Sequence, residues 1–316
     1  SKIGLSITLL PRLHLQVEEN KKIQAMAALG KKSKLEKFTY EPKPLGEFDV
    51  EVRITHCGIC HSDIHLIDND WGISHYPLVP GHEIIGTISA KGGAVTRLSI
   101  GQRVGIGWQR SACLECESCV RGADNLCSQQ QATCAGHFGG FAGAIRVDSR
   151  FAFSIPDALK SEQAAPLLCG GITVYSPLRH FGVTGPMRVG IVGIGGLGHI
   201  AVQFARALGC EVTAFSSSAS KESEAREMGA HHFISSTDVG SLEKAAGSLD
   251  FILSTVNVDL DWTKYLELLR ADGKLCFVGI PPSPISFHAV SLLGGRKSIC
   301  ASPIGSRAVM SEMLDF

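Results

Sequence analysis

The hydrophobic and polar positions of this 316-residue chain follow one pattern up to about residue 170 and another pattern after it. In the first part, short runs rich in Val, Ile and Thr are bounded by Gly, Pro or Asp, which is typical of β-strands joined by turns. These runs are AMAAL, DVEVRITHCG, EIIGTISA, GQRVGIG and FAGAIRV. They predict an irregular all-β domain.

From Met187 onward, apolar runs alternate with stretches of helical spacing. Gly209, Gly229 and Gly273 stand where the helices of this region should end. Alternating strands and helices with short loops indicate βαβ units and a parallel sheet. The sequence therefore predicts an α/β protein with a β domain at residues 23–175 and a doubly wound domain at residues 176–304.

The charge and hydropathy of the chain exclude several classes of protein. Its 30 Lys and Arg balance its 30 Asp and Glu, which argues against nucleic acid and anionic lipid as partners. No segment approaches the ~20 consecutive apolar residues of a membrane span. Residues 1–22 carry an apolar run broken by Pro11 but no small-residue cleavage site, so we expect an extension without an assigned role rather than a signal peptide. We expect a cytoplasmic protein.

A glycine-rich segment, RVGIVGIGGLGHIAVQFARALG, connects the first predicted strand of the second domain to a helix. Gly193, Gly195 and Gly198 form the G-x-G-x-x-G pattern, with Gly196 and Leu197 between them. In this context the first glycine permits a tight turn, the second lets backbone approach a pyrophosphate, and the third lets helix and strand pack closely. A purely structural glycine turn is the alternative. We predict a dinucleotide site at the helix N-terminus.

The end of the next predicted strand indicates which dinucleotide binds. An Asp or Glu at this position would hold the ribose 2′-hydroxyl of NAD. The chain has Ser216, Ser217, Ser218 and then Lys221 instead, which supply donors and a positive charge for a 2′-phosphate. We predict NADP(H), although serines are also common in a solvated loop after a strand.

Eleven cysteines are a high number, and four of them cluster in CLECESCVRGADNLC. Four thiolates at this spacing can close a tetrahedral zinc site in which every position is filled, so the site would be structural. Disulfides fit poorly, because cysteines this close in sequence rarely reach disulfide geometry. An iron–sulfur cluster would suit the ligands but lacks an electron-transfer context. The predicted structural zinc ligands are Cys113, Cys116, Cys119 and Cys127.

The segment CGICHSDIH, residues 57–65, allows three interpretations: a redox dithiol, two corners of a zinc site, or a site that uses one of the two cysteines. A catalytic zinc needs three protein ligands and an open position, for which two cysteines and a histidine are one known solution. The candidates along the chain are Cys57, Cys60, His61, His65, His82, Glu83 and Cys169.

Five motifs occur in a fixed order: CHSDIH, GHE, the four-cysteine lobe, AAPLLCGGITVYSPL and GIGGLGH. From about Ile23 to its end, the chain resembles zinc-dependent medium-chain alcohol dehydrogenases, in particular the cinnamyl-alcohol-dehydrogenase-like branch of NADPH-dependent aldehyde reductases. The resemblance implies a GroES-like β-barrel domain and a Rossmann domain. It also implies hydride transfer between NADP(H) and aromatic or medium-to-long aliphatic primary alcohols or aldehydes.

The resemblance selects ligands among the candidates. The cysteine directly before His-Ser-Asp is the family ligand, so Cys60, His82 and Cys169 would hold the catalytic zinc, with Glu83 as a neighbouring carboxylate that can take the open position. Cys57 would then be a buried apolar thiol. With the four-cysteine lobe, the chain would bind two zinc ions.

Further roles are implied by the same resemblance. Ser62 would pass a proton towards the cofactor ribose and His65, and Asp63 would orient the zinc ligands. Further cofactor contacts are expected from His61, Thr173, Thr255, Val278 and Gly279. Trp71 and Trp108 are aromatic residues that either line a substrate pocket or belong to the core.

The resemblance also implies a homodimer formed through the edge strand near KSICASPIG. Members of the family continue past the position of Phe316 to complete the β domain, so residues 305–316 would begin an incomplete return segment. Two other functions remain open: an NAD-linked alcohol or polyol dehydrogenase, and a non-catalytic NADPH-binding protein on the same fold.

Overall fold

The computed structural model describes residues 22–316, so the predicted extension lies, except for Lys22, outside the described residues. Its first part is a β domain built on a five-stranded antiparallel sheet in the order β8-β3-β4-β5-β9, with the two-stranded sheets β1-β2 and β6-β7 beside it. The strands are β1 (Ile23–Ala28), β2 (Leu35–Tyr40), β3 (Asp49–Cys57), β4 (Ile84–Lys91), β5 (Arg103–Ile106), β6 (Gln109–Ser111), β7 (Gln131–Ala132), β8 (Ala144–Asp148) and β9 (Phe153–Ser154).

Alternating burial explains why these segments are strands. Val50 and Val52 of β3 face the interior at every second position, and Ile145 and Val147 of β8 face the same core. Each of the five runs predicted from the sequence contains or overlaps a strand, namely β1, β3, β4, β5 and β8. The irregular β domain is confirmed.

The second part contains a six-stranded parallel sheet in the order β12-β11-β10-β13-β14-β15. This is the strand order of a dinucleotide-binding sheet, in which the ligand crevice opens at the carboxyl ends of the strands where the order reverses. The predicted α/β class is therefore confirmed. The strands are β10 (Arg188–Val192), β11 (Glu211–Ser216), β12 (His232–Ser235), β13 (Leu249–Ser254), β14 (Leu269–Phe277) and β15 (Ser298–Ala301).

Helices cover both faces of the parallel sheet and enclose two apolar cores. The helices of the whole described chain are α1 (His61–Ile67), α2 (Glu117–Val120), α3 (Ser161–Pro166), α4 (Ile172–His180), α5 (Gly196–Ala207), α6 (Glu222–Glu227), α7 (Val239–Lys244), α8 (Trp262–Leu268), α9 (Val290–Leu293) and α10 (Arg307–Asp315). Within residues 22–316, none of them is long and apolar enough to cross a bilayer.

Two of the three predicted helix ends are correct. Gly209 and Gly229 follow α5 and α6 with φ of +85° and +107°, the left-handed conformation that glycine adopts easily. Gly273 does not end a helix, because α8 already stops at Leu268 and Gly273 lies inside β14. A Cβ on Gly273 would lie 2.9 Å from Cβ of Leu269, so this glycine permits a tight bend within the strand.

The C-terminal helix α10 connects the β domain to the helices before the parallel sheet. Met310, Met313 and Leu314 are buried in one core with Ile172 and Tyr175 of α4. This packing places the C-terminal segment against the same helix pair that carries Cys169, described below.

Candidate metal and cofactor site

The segment CGICHSDIH forms the end of β3 and the start of α1. Cys60 is the N-cap of α1 and has extended backbone angles. The Asp63 carboxylate in the first turn accepts a hydrogen bond of 2.9 Å from the backbone N–H of Cys60. A carboxylate in this position satisfies a free helix donor and fixes the direction of the Cys60 side chain.

Two further candidate ligands, His82 and Glu83, directly precede β4, which pairs with β3. Cys57 at the end of β3 pairs with Ile84 at the start of β4, so His82 and Glu83 lie directly before the paired segment. Both side chains are buried. The antiparallel pairing therefore brings residues about 20 positions apart in sequence beside Cys60.

Cys169 lies on a single π-helical turn, Leu167–Gly171, between α3 and α4. Such turns are rare and occur often at functional sites, because the extra residue re-aims the side chains of a helix. Cys169 is buried, and its neighbour Gly170 approaches Leu197 of α5 closely enough that an added Cβ would lie 3.5 Å from it. The π turn thus joins the candidate ligand to the glycine-rich helix.

The ligand atoms of Cys60, His82, Glu83 and Cys169 all lie within 4.8 Å of one another. The two sulfur atoms are 3.8 Å apart, and Nε2 of His82 is 3.2 Å from Sγ of Cys169. Two sulfurs on one tetrahedral zinc ion with Zn–S bonds of ~2.3 Å would be about 3.8 Å apart. The donor set and its spacing therefore fit one zinc ion, with two sulfurs and one imidazole as ligands.

Of the two cysteines in CGICHSDIH, Cys60 alone belongs to this group of ligand atoms. Cys57 is not part of this group of ligand atoms, and its Sγ donates to the carbonyl of Gly58 at 3.5 Å. Burial raises the pKa of Cys57 to about 12, so this side chain stays a protonated thiol packed against the β core. In this geometry one of the two cysteines is a candidate ligand.

The two candidate sulfur ligands are hydrogen-bonded to each other. The hydrogen bond from Cys169 lowers the pKa of Cys60 to about 4, and the same bond raises the pKa of Cys169. Burial and the nearby Cys60 charge raise the pKa of Glu83 to about 7. The pocket concentrates groups that become anions together once a cation compensates them.

Asp63 orients His82 for metal binding. Its Oδ1 accepts from the backbone N–H of Gly81 at 2.9 Å and lies 3.1 Å from Nδ1 of His82. Because Nδ1–H donates to the carboxylate, the lone pair of Nε2 faces Cys169 and the ligand position. Cys134, which the sequence did not single out, lies 3.8 Å from the same Nδ1.

Ser62 and His65 lie on the outer side of the ligand group. The hydroxyl of Ser62 is 3.6 Å from Sγ of Cys60, and Nδ1 of His65 is 2.8 Å from the exposed carboxylate of Asp70. The hydrogen bond with His65 lowers the pKa of Asp70. The ring of His61 meets the ring of His65 edge-on at 4.7 Å. Sequence reasoning missed Asp70, since Asp68 and Asp70 both follow α1 and their spacing does not choose between them.

Trp71 and Trp108 form an aromatic wall beside the candidate ligands. The Trp108 ring is edge-on to His82 at 5.1 Å, and Trp71 lies 5.1 Å from His65. The two indole rings are 6.0 Å apart and both residues are half-buried. Both rings also pack against the small apolar cluster that contains Leu66 and Leu78, so they border the site and this cluster together.

The sulfur atoms of the four-cysteine lobe are as close together as the ligand atoms around Cys60. The ligand sulfurs of Cys113, Cys116, Cys119 and Cys127 lie within 4.8 Å of one another. Cys113 is 3.9 Å from Cys119 and 3.5 Å from Cys127, close to the edge of a tetrahedron around zinc of about 3.8 Å. All eleven cysteines are free thiols, which excludes a disulfide in this lobe.

The glycine-rich segment forms the turn between β10 and α5. Gly193 has φ of +90°, and a Cβ on Gly198 would lie 1.7 Å from the carbonyl oxygen of Gly193. An added Cβ at Gly195 or Gly196 would meet open space. The turn is therefore tightly packed between Gly193 and Gly198, and there is free space next to Gly195 and Gly196 at the helix N-terminus. A phosphate could approach the backbone in this space.

The other predicted cofactor residues from the sheet lie at the carboxyl ends of β13 and β14. Thr255 Oγ1 donates to the carbonyls of Val192 and Gly193 at 2.9 and 3.0 Å. Val278 and Gly279 follow β14, and both of their N–H groups donate to Ser254 at the end of β13.

The two predicted cofactor residues from the helices follow the candidate zinc ligands in sequence, His61 directly after Cys60 and Thr173 four residues after Cys169. His61 begins α1 and is exposed. Thr173 is half-buried on α4, one turn after Cys169.

The serine-rich segment lies beside the glycine turn. Ser216 ends β11, the strand next to β10, and its Oγ accepts from the N–H of Ser218 at 3.2 Å. Lys221 reaches back to donate to the carbonyl of Ile194 in the glycine turn. The structure thus brings the Lys221 ammonium to the crevice, and no acidic residue lies between Ser216 and Lys221.

Comparison with known proteins shows two family models on this chain. The alcohol dehydrogenase GroES-like domain matches residues 46–157, and the zinc-binding dehydrogenase model matches residues 196–316. An aldehyde reductase AdhA of Synechocystis is 46% identical over 294 residues, which are 93% of this chain and 88% of that protein. A probable cinnamyl alcohol dehydrogenase 6 of Arabidopsis thaliana is 42% identical over 97% of this chain and 87% of its own length.

Two solved structures agree with these matches. A cinnamyl alcohol dehydrogenase from Sorghum bicolor has a TM-score of 0.90 and 37% identity, covering 94% of this chain and 87% of its own. The Helicobacter pylori cinnamyl alcohol dehydrogenase complexed with NADP(H) has a TM-score of 0.86 and 35% identity, covering 93% and 87%. The chain therefore belongs to the zinc-type medium-chain alcohol dehydrogenase family, in its cinnamyl-alcohol-dehydrogenase-like and aldehyde reductase branch.

Proposed function

We propose that this protein is a zinc-dependent reductase that transfers hydride from NADPH to aldehydes and runs in reverse as a primary-alcohol dehydrogenase. The observation that carries the proposal is the convergence of Cys60, His82 and Cys169 beside the N-terminus of the glycine-rich helix. Three protein ligands leave one position on a tetrahedral zinc for a substrate oxygen. We propose a second, structural zinc in the four-cysteine lobe.

Several residues around the proposed catalytic zinc have separate roles in the reaction. When bound, zinc would act as a Lewis acid that polarises the substrate carbonyl. Asp63 holds the imidazole of His82 in the tautomer that binds metal, and Glu83 supplies a nearby carboxylate. We assign Ser62 as the group that passes the proton between the reacting oxygen and the solvent side.

At the solvent side, His65 carries the proton on, because an imidazole exchanges protons near neutral pH. Asp70 holds Nδ1 of His65 at 2.8 Å and so leaves Nε2 free to exchange.

The aromatic wall supports substrates with an apolar or planar body. Trp71 and Trp108 offer two indole faces next to His65 and His82, and such surfaces favour aromatic or long aliphatic aldehydes over short ones. The relatives include probable cinnamyl alcohol dehydrogenases. A substrate panel with NADPH should therefore give higher kcat/KM for aromatic and long aliphatic aldehydes than for acetaldehyde.

We propose NADP(H) as the cofactor because Lys221 and the serines at the end of β11 lie beside the glycine turn and no carboxylate stands among them. The Helicobacter pylori relative binds NADP(H). The alternative is an NAD-linked polyol dehydrogenase, since a probable mannitol dehydrogenase of Fragaria ananassa is 42% identical.

Cofactor kinetics test this proposal. Lys221→Met keeps the side-chain stem and removes one charge-assisted contact of about 1.5–3 kcal/mol, so we expect KM for NADPH to rise about 10–100-fold. KM for NADH should change little. Ser217→Asp places a carboxylate at the exposed end of β11 and should reverse the preference. Lys244→Met, on an exposed helix end of the same domain, is the matched control. Equal use of NADH and NADPH by the unaltered protein would contradict the assignment.

We propose a homodimer formed through β15, the edge strand of the parallel sheet. Within residues 22–316 no further strand pairs with its outer edge, and such an edge can continue the sheet into a second copy. Large apolar side chains are exposed after β14 and on α9: Ile280, Val290 and Leu293 are 68%, 70% and 76% exposed. We also propose a cytoplasmic location, where a reducing environment preserves zinc thiolates.

A further inference from the structure

Two cysteines that the proposed metal sites do not use face each other in the parallel sheet. Cys276 of β14 and Cys300 of β15 are partners in register on neighbouring strands. Cys276 is buried in the core beneath α5, and Cys300 packs partly buried against the same core. Their side chains therefore project to the same face of the sheet.

This arrangement meets the spacing requirement of a disulfide. Neighbouring strands lie ~4.8 Å apart, and disulfides bridge Cα atoms about 4.4–6.8 Å apart. Other cysteines outside the candidate metal sites lack this relation: Cys210 stands alone before β11, and Cys57 and Cys134 lie in the β domain. The pair closes a loop that runs from β14 through α9 to β15.

The two thiols differ in access and charge. Cys300 is half-buried, whereas Cys276 is fully buried. Cys300 Sγ donates to the carbonyl oxygen of Leu275 at 3.7 Å. The neighbouring Cys276 thiol and the charge of Lys274 lower the pKa of Cys300, and the neighbouring Cys300 raises the pKa of Cys276. The more exposed sulfur is thus the better nucleophile, and the buried thiol beside it can resolve an oxidised partner.

We propose that Cys276 and Cys300 form a reversible redox pair that a peroxide closes into a cross-strand disulfide. The Cys300 thiolate attacks the peroxide O–O bond, giving a sulfenic acid at Cys300 and releasing hydroxide, or an alkoxide from an organic peroxide. The Cys276 sulfur then attacks the sulfenic sulfur. The S–S bond forms, the S–O bond breaks, and the sulfenic oxygen leaves as water with the Cys276 proton. The two thiols lose two electrons, which reduce the peroxide.

A closed bond would join the last two strands of the sheet covalently. Cys276 stands two residues before Val278, where the chain turns into the cofactor crevice, and Cys300 lies within the edge strand. We expect the oxidised protein to unfold at a higher temperature, because the cross-link constrains the unfolded chain. The redox step itself does not require the aldehyde reductase activity.

Peptide mapping of the zinc-loaded protein tests the proposal. The protein is treated with increasing hydrogen peroxide, free thiols are blocked with N-ethylmaleimide, and the digest is analysed without reductant. We expect a linked pair of peptides containing Cys276 and Cys300, at peroxide levels that release no zinc. Dithiothreitol should abolish the linked species.

Variants separate the two roles. Cys276→Ser should leave a sulfenic acid on Cys300 that dimedone traps, whereas Cys300→Ser should leave Cys276 as an unmodified thiol. Cys210→Ser, which removes another buried cysteine just before β11, should form the link as the unaltered protein does. Because the map of the unaltered protein needs no variant, the proposal stays testable if a variant misfolds. It is overturned if Cys276 remains a free thiol while Cys300 is oxidised, or if the link forms only after zinc is lost.

Discussion

Replacing Asp63 by asparagine tests how the protein holds its candidate ligand set. The carboxylate is 2% exposed and accepts from three donors: the N–H groups of Cys60 and Gly81, and Nδ1 of His82. An asparagine offers one acceptor oxygen, and its nitrogen can only donate. If the oxygen keeps Gly81 and His82, the amide nitrogen faces the N–H of Cys60 and that hydrogen bond is lost.

The magnitude follows from this count. A hydrogen bond to a charged group contributes about 1.5–3 kcal/mol, so we expect Asp63→Asn to destabilise the site by this amount. Loss of a group that orients a metal-binding histidine typically lowers metal affinity about 10–100-fold, which equals about 1.4–2.8 kcal/mol. The two ranges overlap: the first counts the lost hydrogen bond to Cys60, and the second counts the loss of the charged partner of His82.

Zinc release to a chromogenic chelator provides the assay. One of two zinc ions should leave Asp63→Asn at about 10–100-fold lower chelator concentration than in the unaltered protein, and the zinc of the four-cysteine lobe should not change. Asp238→Asn also removes a capping carboxylate, on the exposed helix α7, and should leave both ions unaffected. Unchanged retention of both ions in Asp63→Asn would refute the reasoning.

Three further predictions address the cofactor turn, the pH response and the C-terminal segment. Gly198→Ala places a Cβ 1.7 Å from the Gly193 oxygen, a steric conflict of about 1–3 kcal/mol; NADPH affinity should fall about ten-fold or more in a fluorescence titration, and unchanged affinity would contradict the close approach. Burial lowers the pKa of His137 from 6.5 to about 4. Between pH 4 and pH 6.5, His137 is therefore protonated in the unfolded chain but not in the folded chain. Stability should therefore be full above pH 6.5 and fall by up to about 3 kcal/mol as the pH drops to 4. In urea unfolding, His137→Asn should flatten the dependence of stability on pH between 4 and 6.5. The same pH dependence in both proteins would contradict this role of His137. Asp124 is buried, and its carboxylate lies 3.4 Å from Arg307 at the start of α10. Asp124→Asn should cost about 1–3 kcal/mol, and no loss would show that this contact does not hold α10.

The fold was largely predictable because its signals are local and repeated. Alternating apolar positions such as Val50 and Val52 mark a half-buried strand, and Gly193 to Gly198 mark a strand–turn–helix. Gly273 was assigned wrongly because a glycine after an apolar helical run looks the same whether it ends a helix or permits a bend in the next strand. The pairing of Leu269 with Leu249 decided between the two, and that contact is not local.

The candidate site was predictable only in part. The four-cysteine lobe can be found from spacing, because all its ligands lie within fifteen residues of sequence. Cys60, His82 and Cys169 are brought together by the β3–β4 pairing and a π-helical turn, and spacing alone does not reveal either. Their selection depended on family resemblance. Asp70 and Cys134 were missed, since each acts through a neighbouring histidine and belongs to no motif.

The zinc content of the unaltered protein and of Cys60→Ala tests the central claim most directly, with NADPH binding measured on the same samples to show that the fold is intact. Two groups of ligand atoms are present, so the unaltered protein should hold two zinc ions per chain. Cys60→Ala should hold one, bind NADPH normally and reduce no aldehyde. A single zinc in the unaltered protein, retained in full by Cys60→Ala, would contradict a catalytic zinc at Cys60, His82 and Cys169.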